Sequence, residues 1–227
     1  MSISQATGAF ANANGTNLAT LAVTNITVGN YRVIVVKIAS NSFTVTGVSG
    51  GGVNNWNIVN SIGNANGHFL SMWGGIVNTT GAQTITVTYS ATPGASCDLM
   101  SSELVWSGGA APRWTVEAKG GLVNAASTTI AFPTLVSGPT TDQAYWGFAQ
   151  INGTGLAGST TGFTYSTVDG NGDYGIFNGS LSANTSYSPT GSATASDAST
   201  TIAAIFNAGP NVPDVPLRQT MMRASFR

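Results

Sequence analysis

The chain has 227 residues, 42% of them hydrophobic, with only seven basic and eight acidic side chains and a formal net charge of -1. That hydrophobic content supports a packed core and excludes charge-driven disorder of the body. The net charge gives no electrostatic reason to expect nucleic acid as the main partner, since phosphate binding needs clustered Lys and Arg and the only cluster, at the C-terminus, is small. Charged residues make up 7% of the chain against about 25% in an average soluble protein, so hydroxyl, amide and backbone groups must solvate the surface. Such a surface suits a packed assembly better than a free cytosolic enzyme.

In chain order, residues 1–16 read as an N-terminal segment ahead of the body. They lack the basic start and the apolar run of about 7 to 15 residues that a signal peptide needs, so synthesis without export is expected. Residues 31–39 are apolar on both phases except for Arg32 and Lys37, as in a central strand covered on both faces. The run is far too short to span a bilayer, and no membrane partner is expected. Residues 43–46 alternate in period two and lead into Gly50, Gly51 and Gly52, a turn cluster. A second cluster occupies 63–67. In 84–89, Ile85, Val87 and Tyr89 point one way and Thr84, Thr86 and Thr88 the other, as in a half-buried strand.

Cys97 opens an apolar stretch with Leu99, Met100, Leu104 and Trp106 and reads as a small buried hydrophobe. As the sole cysteine it excludes an intramolecular disulfide. Residues 144–151, with Tyr145, Trp146 and Phe148, form a second doubly covered strand, and 169–172 a further turn. Trp73, Trp106 and Trp146 are expected in the core, and Trp56 and Trp114, near turns, at the surface. Helical periodicity is absent throughout. The fold class is therefore all-β, an antiparallel β-sandwich, jelly-roll-like, with an extended C-terminal arm.

A weak internal repeat organises the body, residues 17–209, into halves of about 17–109 and 128–209. Residues 30–39 correspond to 142–151, 69–76 to 174–181, and 86–108 to 185–209. One sandwich built from two Greek keys is expected. Pro210, Pro213 and Pro216 then end the sheet and begin an arm at 210–227. There Leu217, Met221, Met222 and Phe226 interleave with Arg218, Arg223 and Arg227, a set suited to a neighbouring protein surface and here assigned as partner-binding.

Two motifs mimic catalytic or cofactor signatures. Gly47, Ser49 and Gly51 match G-x-S-x-G, but the nucleophile elbow needs a helix after the strand, and His68, the sole histidine, would have to be the base. Gly153, Gly155 and Gly158 match G-x-G-x-x-G, which needs a helix N-terminus to receive a pyrophosphate. Both read as Gly-rich loops, so no catalytic residue, cofactor or metal is assigned. Asp169, Asn171 and Asp173 alternate like calcium ligands yet depart from the EF-hand pattern, with Tyr174 at position six and Ser180 at position twelve. A hairpin turn explains the same letters.

The succession 45–53 (VTGVSGGGV), Asn55-Trp56, 72–77 (MWGGIV), 84–89 (TITVTY) and 102–108 (SELVWSG) resembles β-sandwich virion proteins of tailed bacteriophages, of the minor tail or capsid-decoration type. The resemblance covers about residues 20–209 and rests on strand and turn chemistry. It implies a non-enzymatic structural role on a virion, after synthesis in the host cytoplasm. Its partners would be other virion proteins, a major capsid or tail protein, and further copies of this chain. The alternative is a carbohydrate- or receptor-binding module of a tail fibre or cell surface, with a host glycan as partner.

Overall fold

The computed structural model describes residues 2–6, 10–63, 67–108, 112–167 and 172–210. The arm beyond Pro210, with the assigned contact residues Leu217, Arg218, Met221, Met222, Arg223, Phe226 and Arg227, lies outside the described residues. The fold is all-β and antiparallel, without a helix among the described residues.

The first half contains β1 (Ile3–Gln5), β2 (Ala11–Thr16), β3 (Thr20–Asn25), β4 (Tyr31–Ile38), β5 (Val45–Gly50), β6 (Asn57–Gly63), β7 (Phe69–Ile76), β8 (Gly81–Tyr89) and β9 (Ser96–Trp106). The second contains β10 (Pro112–Ala131), β11 (Leu135–Val136), β12 (Gln143–Ile151), β13 (Gly155–Leu156), β14 (Thr164–Thr167), β15 (Tyr174–Asn178), β16 (Ser186–Tyr187) and β17 (Thr190–Pro210). One large sheet runs β1-β9-β4-β7-β6, with β2 also on β9; the other runs β10-β17-β12-β15-β14, with β13 also on β17. Two smaller sheets, β3-β8-β5 and β11-β16, complete the set among the described residues.

The two large sheets share one connectivity. Strands β9, β4, β7 and β6 stand in the same order as β17, β12, β15 and β14, and the β3-β8 pair has its counterpart in β11-β16. The edge strand is repeated too: β1 and β2 both run antiparallel to β9, as the longer β10 does to β17. Residues 1–16 therefore contribute two strands to a sheet instead of preceding the body, and the second half starts at 112, well before 128. Periodicity misses both segments because they are edge strands, exposed along much of their length, and carry no apolar stripe.

Packing follows from alternation. On β4, Val33 and Val35 join Met72, Met100, Trp146, Phe148 and Phe206 in the core between the two large sheets. The alternate residues Ile34, Val36 and Ile38 face the other way, against Leu21, Ile85, Val87, Cys97 and Leu99 beneath the three-stranded sheet. On the far side of the second large sheet, Ile130, Phe132, Tyr145, Tyr174 and Ile205 form a third core. Strands β4 and β12 are buried along their whole length, as two covered faces require. The inner pair of sheets is the expected sandwich, and the small sheets add outer layers to it.

Trp106 and Trp146 are buried, but Trp73 is only partly so. It sits with Trp56 at the margin of the core under β3-β8-β5, where three strands cannot cover the full width of the larger sheet. Trp114, expected near a turn, lies within β10.

Candidate functional site

A cleft of about 290 Å³ opens at the seam of the two halves, lined by Tyr31, Asn55, Asn57, Gly75, Ile76, Asn78 and Trp114. The Trp114 ring stacks obliquely on Tyr31, centroids 5.5 Å apart at 32°, and Tyr31 in turn leans on Phe206 at 5.3 Å. Trp114 donates its indole N–H to the Gly29 carbonyl at 2.9 Å, which fixes the ring across the seam. Gly74 makes room for this arrangement, because any side chain there would collide with the Tyr31 ring. The wall opposite is amide: Asn55, Asn57 and Asn78 are exposed, and Asn78 accepts the Asn54 N–H at 2.9 Å. Burial pushes the Tyr31 phenol up to about 12, so it stays neutral at physiological pH. Aromatic faces beside uncharged amides can stack on, and hydrogen-bond to, a neutral polar ring.

A larger hollow of about 650 Å³ is bordered by Ala6, Ala11, Thr24, Arg32, Gln83 and Glu103, among others. Its charges are already spent. Arg32 pairs with Glu103 at 3.0 Å and donates to the Thr24 carbonyl at 2.9 Å. Glu103 also accepts the Ile26 and Thr27 backbone N–H groups and the Asn30 amide. Burial lowers the Arg32 pKa and Glu103 opposes the shift. This network pins the turn between β3 and β4.

The third constellation is a buried ion triad at the end of the inner core. Lys37 on β4 and Asp98 on β9 are register partners, with Nζ 2.8 Å from Asp98 Oδ2. Asp173, just before β15 in the other half, places Oδ2 at 2.6 Å from the same Nζ, while its Oδ1 accepts the Ile151 N–H at 2.9 Å. Burial alone would push the Lys37 ammonium down, but Asp173 and then Asp98 outweigh it and hold the pKa above the ordinary lysine value. In sequence, a lysine inside an apolar central strand already signals buried partners. Their identity is invisible there, because Asp173 is 136 positions away.

The triad bears on the calcium-like loop. Asp169 and Asn171 lie outside the described residues, whereas Asp173 is fully buried and turned inward onto Lys37 and Ile151, not toward a surface loop. Among the described residues no group of three or more His, Cys, Asp or Glu could hold a metal. The G-x-S-x-G run ends β5 and continues through Gly50, Gly51 and Gly52, at φ of 69°, 65° and 69°, wrapped around the buried Asn25 amide. Its glycines serve that bend. Gly155 sits in β13 against the Gly172 backbone with no helix following, so close approach between loops explains the second motif.

The chain matches no family model, no curated protein and no solved structure.

Proposed function

We propose that the protein is a non-enzymatic structural component of a phage virion, displayed on capsid or tail. The observation that carries this reading is β10. It is a 20-residue strand at the edge of a large sheet, mostly exposed, and among the described residues its outer edge pairs with no strand. Long open edges invite pairing with another chain. Its charges, Arg113, Glu117 and Lys119, all fall in its first eight residues, which leaves the edge from Gly120 to Ala131 without one to oppose it. The layered antiparallel fold and the strand and turn pattern fit a building block, and the C-terminal arm supplies a second contact through its apolar and arginine side chains.

The test is localisation on particles. Immunogold labelling and mass spectrometry of purified virions should find the chain, and deleting residues 211–227 should abolish incorporation while the body keeps its melting temperature. A chain found only in the free fraction refutes the reading, whereas a truncated chain that assembles normally removes the arm as the anchor.

A second reading is carbohydrate binding, favoured specifically by the Trp114–Tyr31–asparagine cleft. On a glycan array, a binder should retain neutral saccharides and lose them on Trp114→Ala. A purely structural protein should retain none.

A further inference from the structure

The Lys37–Asp98–Asp173 triad has the makings of a self-processing site. We propose that Lys37 Nζ and Asp173 Cγ condense into an intramolecular isopeptide bond, with Asp98 as the proton shuttle.

Neutralising Lys37 does not require Asp173. Asp98 already stands opposite it in the β4–β9 register at 2.8 Å, and a second buried carboxylate adds desolvation cost and leaves a net negative charge in the interior. The side chains of Lys37, Asp98 and Asp173 are 8%, 2% and 0% exposed. Lys37 makes its hydrogen bond to Asp173. Asp98 Oδ2 stands 2.8 Å from the same nitrogen in an ion pair, so a buried base is placed to take a proton from it as it reacts. Asp173 is held by the Ile151 N–H on its other oxygen, where negative charge would grow as the nitrogen adds to the carboxyl carbon. Preorganised backbone donors of this kind stabilise such an intermediate.

The step balances without any co-reactant. The ammonium proton moves to Asp173 Oδ2, leaving a neutral amine beside a carboxylic acid. The amine lone pair forms the Nζ–Cγ bond, and the carbonyl electron pair moves onto Oδ1 under the Ile151 N–H. Asp98 takes one proton from the nitrogen and delivers it to the Oδ2 hydroxyl. The Cγ–Oδ2 bond breaks, water leaves, and the carbonyl re-forms. Ammonium and carboxylate become amide and water, and Asp98 returns to its starting state. Fixed contact supplies an effective molarity of about 10⁵ to 10⁸ M, and a site closed to solvent expels the water formed and keeps hydrolysis out. The product ties β4 of one half to the strand entry of β15 in the other.

The experiment is the intact mass of the full chain, purified folded and then denatured. Wild type should be lighter than its sequence by one water, and digestion should yield a branched peptide joining the segments around 37 and 173. Lys37→Arg should have the full mass. Asp98→Asn, which keeps the lysine and its acceptor, should lose the cross-link in most molecules. A wild-type chain of full mass overturns the proposal. So does a water loss that persists in Lys37→Arg, which would place the dehydration elsewhere, for instance in a succinimide at Asp169-Gly170. An Asp98→Asn chain that links as completely as wild type removes Asp98 from the chemistry.

Discussion

At the scale of single residues, the interior combines dense apolar packing with a few expensive polar commitments. Arg32, Lys37, Asp98, Glu103 and Asp173 are all buried in a chain that has few charges to spend. A buried pair is seldom more stable than apolar residues of the same volume, but removing one partner leaves an uncompensated charge and costs about 3 to 5 kcal/mol. Glu103→Ala should therefore destabilise strongly in a urea melt, because it strands Arg32 and frees the backbone N–H groups of Ile26 and Thr27 together. Trp106 poses the opposite case. It is 8% exposed and its indole N–H is buried without an acceptor, so the ring stabilises by volume and its polar atom does not help. Trp106→Ala should cost about 3 to 5 kcal/mol, whereas Trp106→Phe should cost less than about 1.5 kcal/mol, since it keeps most of the volume and deletes the orphaned donor. Equal losses for the two would show that the indole is hydrogen-bonded in solution.

At the scale of elements, β10 is a long strand at the edge of a large sheet, paired on one side with β17. Val123 is 42% exposed on it, so Val123→Lys should move the monomer's stability by no more than about 0.5 kcal/mol while a charge on the open edge opposes strand addition. Unchanged incorporation into particles, together with an unchanged melting temperature, would rule β10 out as the assembly edge. The same strand shows where sequence reading stops. β4 and β12 were legible as apolar runs because both of their faces are covered, and β8 by its period of two because one is: Ile85 and Val87 are buried between exposed Thr84, Thr86 and Thr88. β1, β2 and β10 were not: β1 is three residues long, β2 alternates only Ala and Gly against Asn and Thr, and β10 buries little but Ile130, so none carries an apolar stripe strong enough to read. Cys97 and Trp146 could be placed from their apolar context, whereas Trp73 sits in equally apolar context and ends up half-covered, since the width of the opposing sheet is a property of the fold. In the cleft, Trp114 was singled out by its chemistry. Tyr31 and the three asparagines join it only through tertiary structure.

At the scale of the whole molecule, four tyrosines set an alkaline limit. Burial raises the phenol pKa of Tyr31 from 10.0 to about 12, and raises those of Tyr89, Tyr145 and Tyr174 as well. An unfolded chain ionises these groups near pH 10 while the folded one holds them neutral. The stability they contribute is thus fully present below pH 10 and, for Tyr31, lost as the pH climbs to about 12. Urea midpoints should fall across that interval, with the tyrosinate absorbance of these four residues appearing at unfolding; titration of all four near pH 10 in the folded state would contradict the burial. The matching strand order of the two large sheets carries a different consequence. The inner core is built from both halves, with Val33, Val35, Met72 and Met100 from one and Trp146, Phe148, Ile202 and Phe206 from the other. The chain is in effect a dimer written as a single polypeptide. A protein truncated to residues 1–108 would be born with that apolar face open to water, and it should sediment as a pair of identical halves or precipitate. A soluble, folded monomer of that length would mean that the two halves never needed each other.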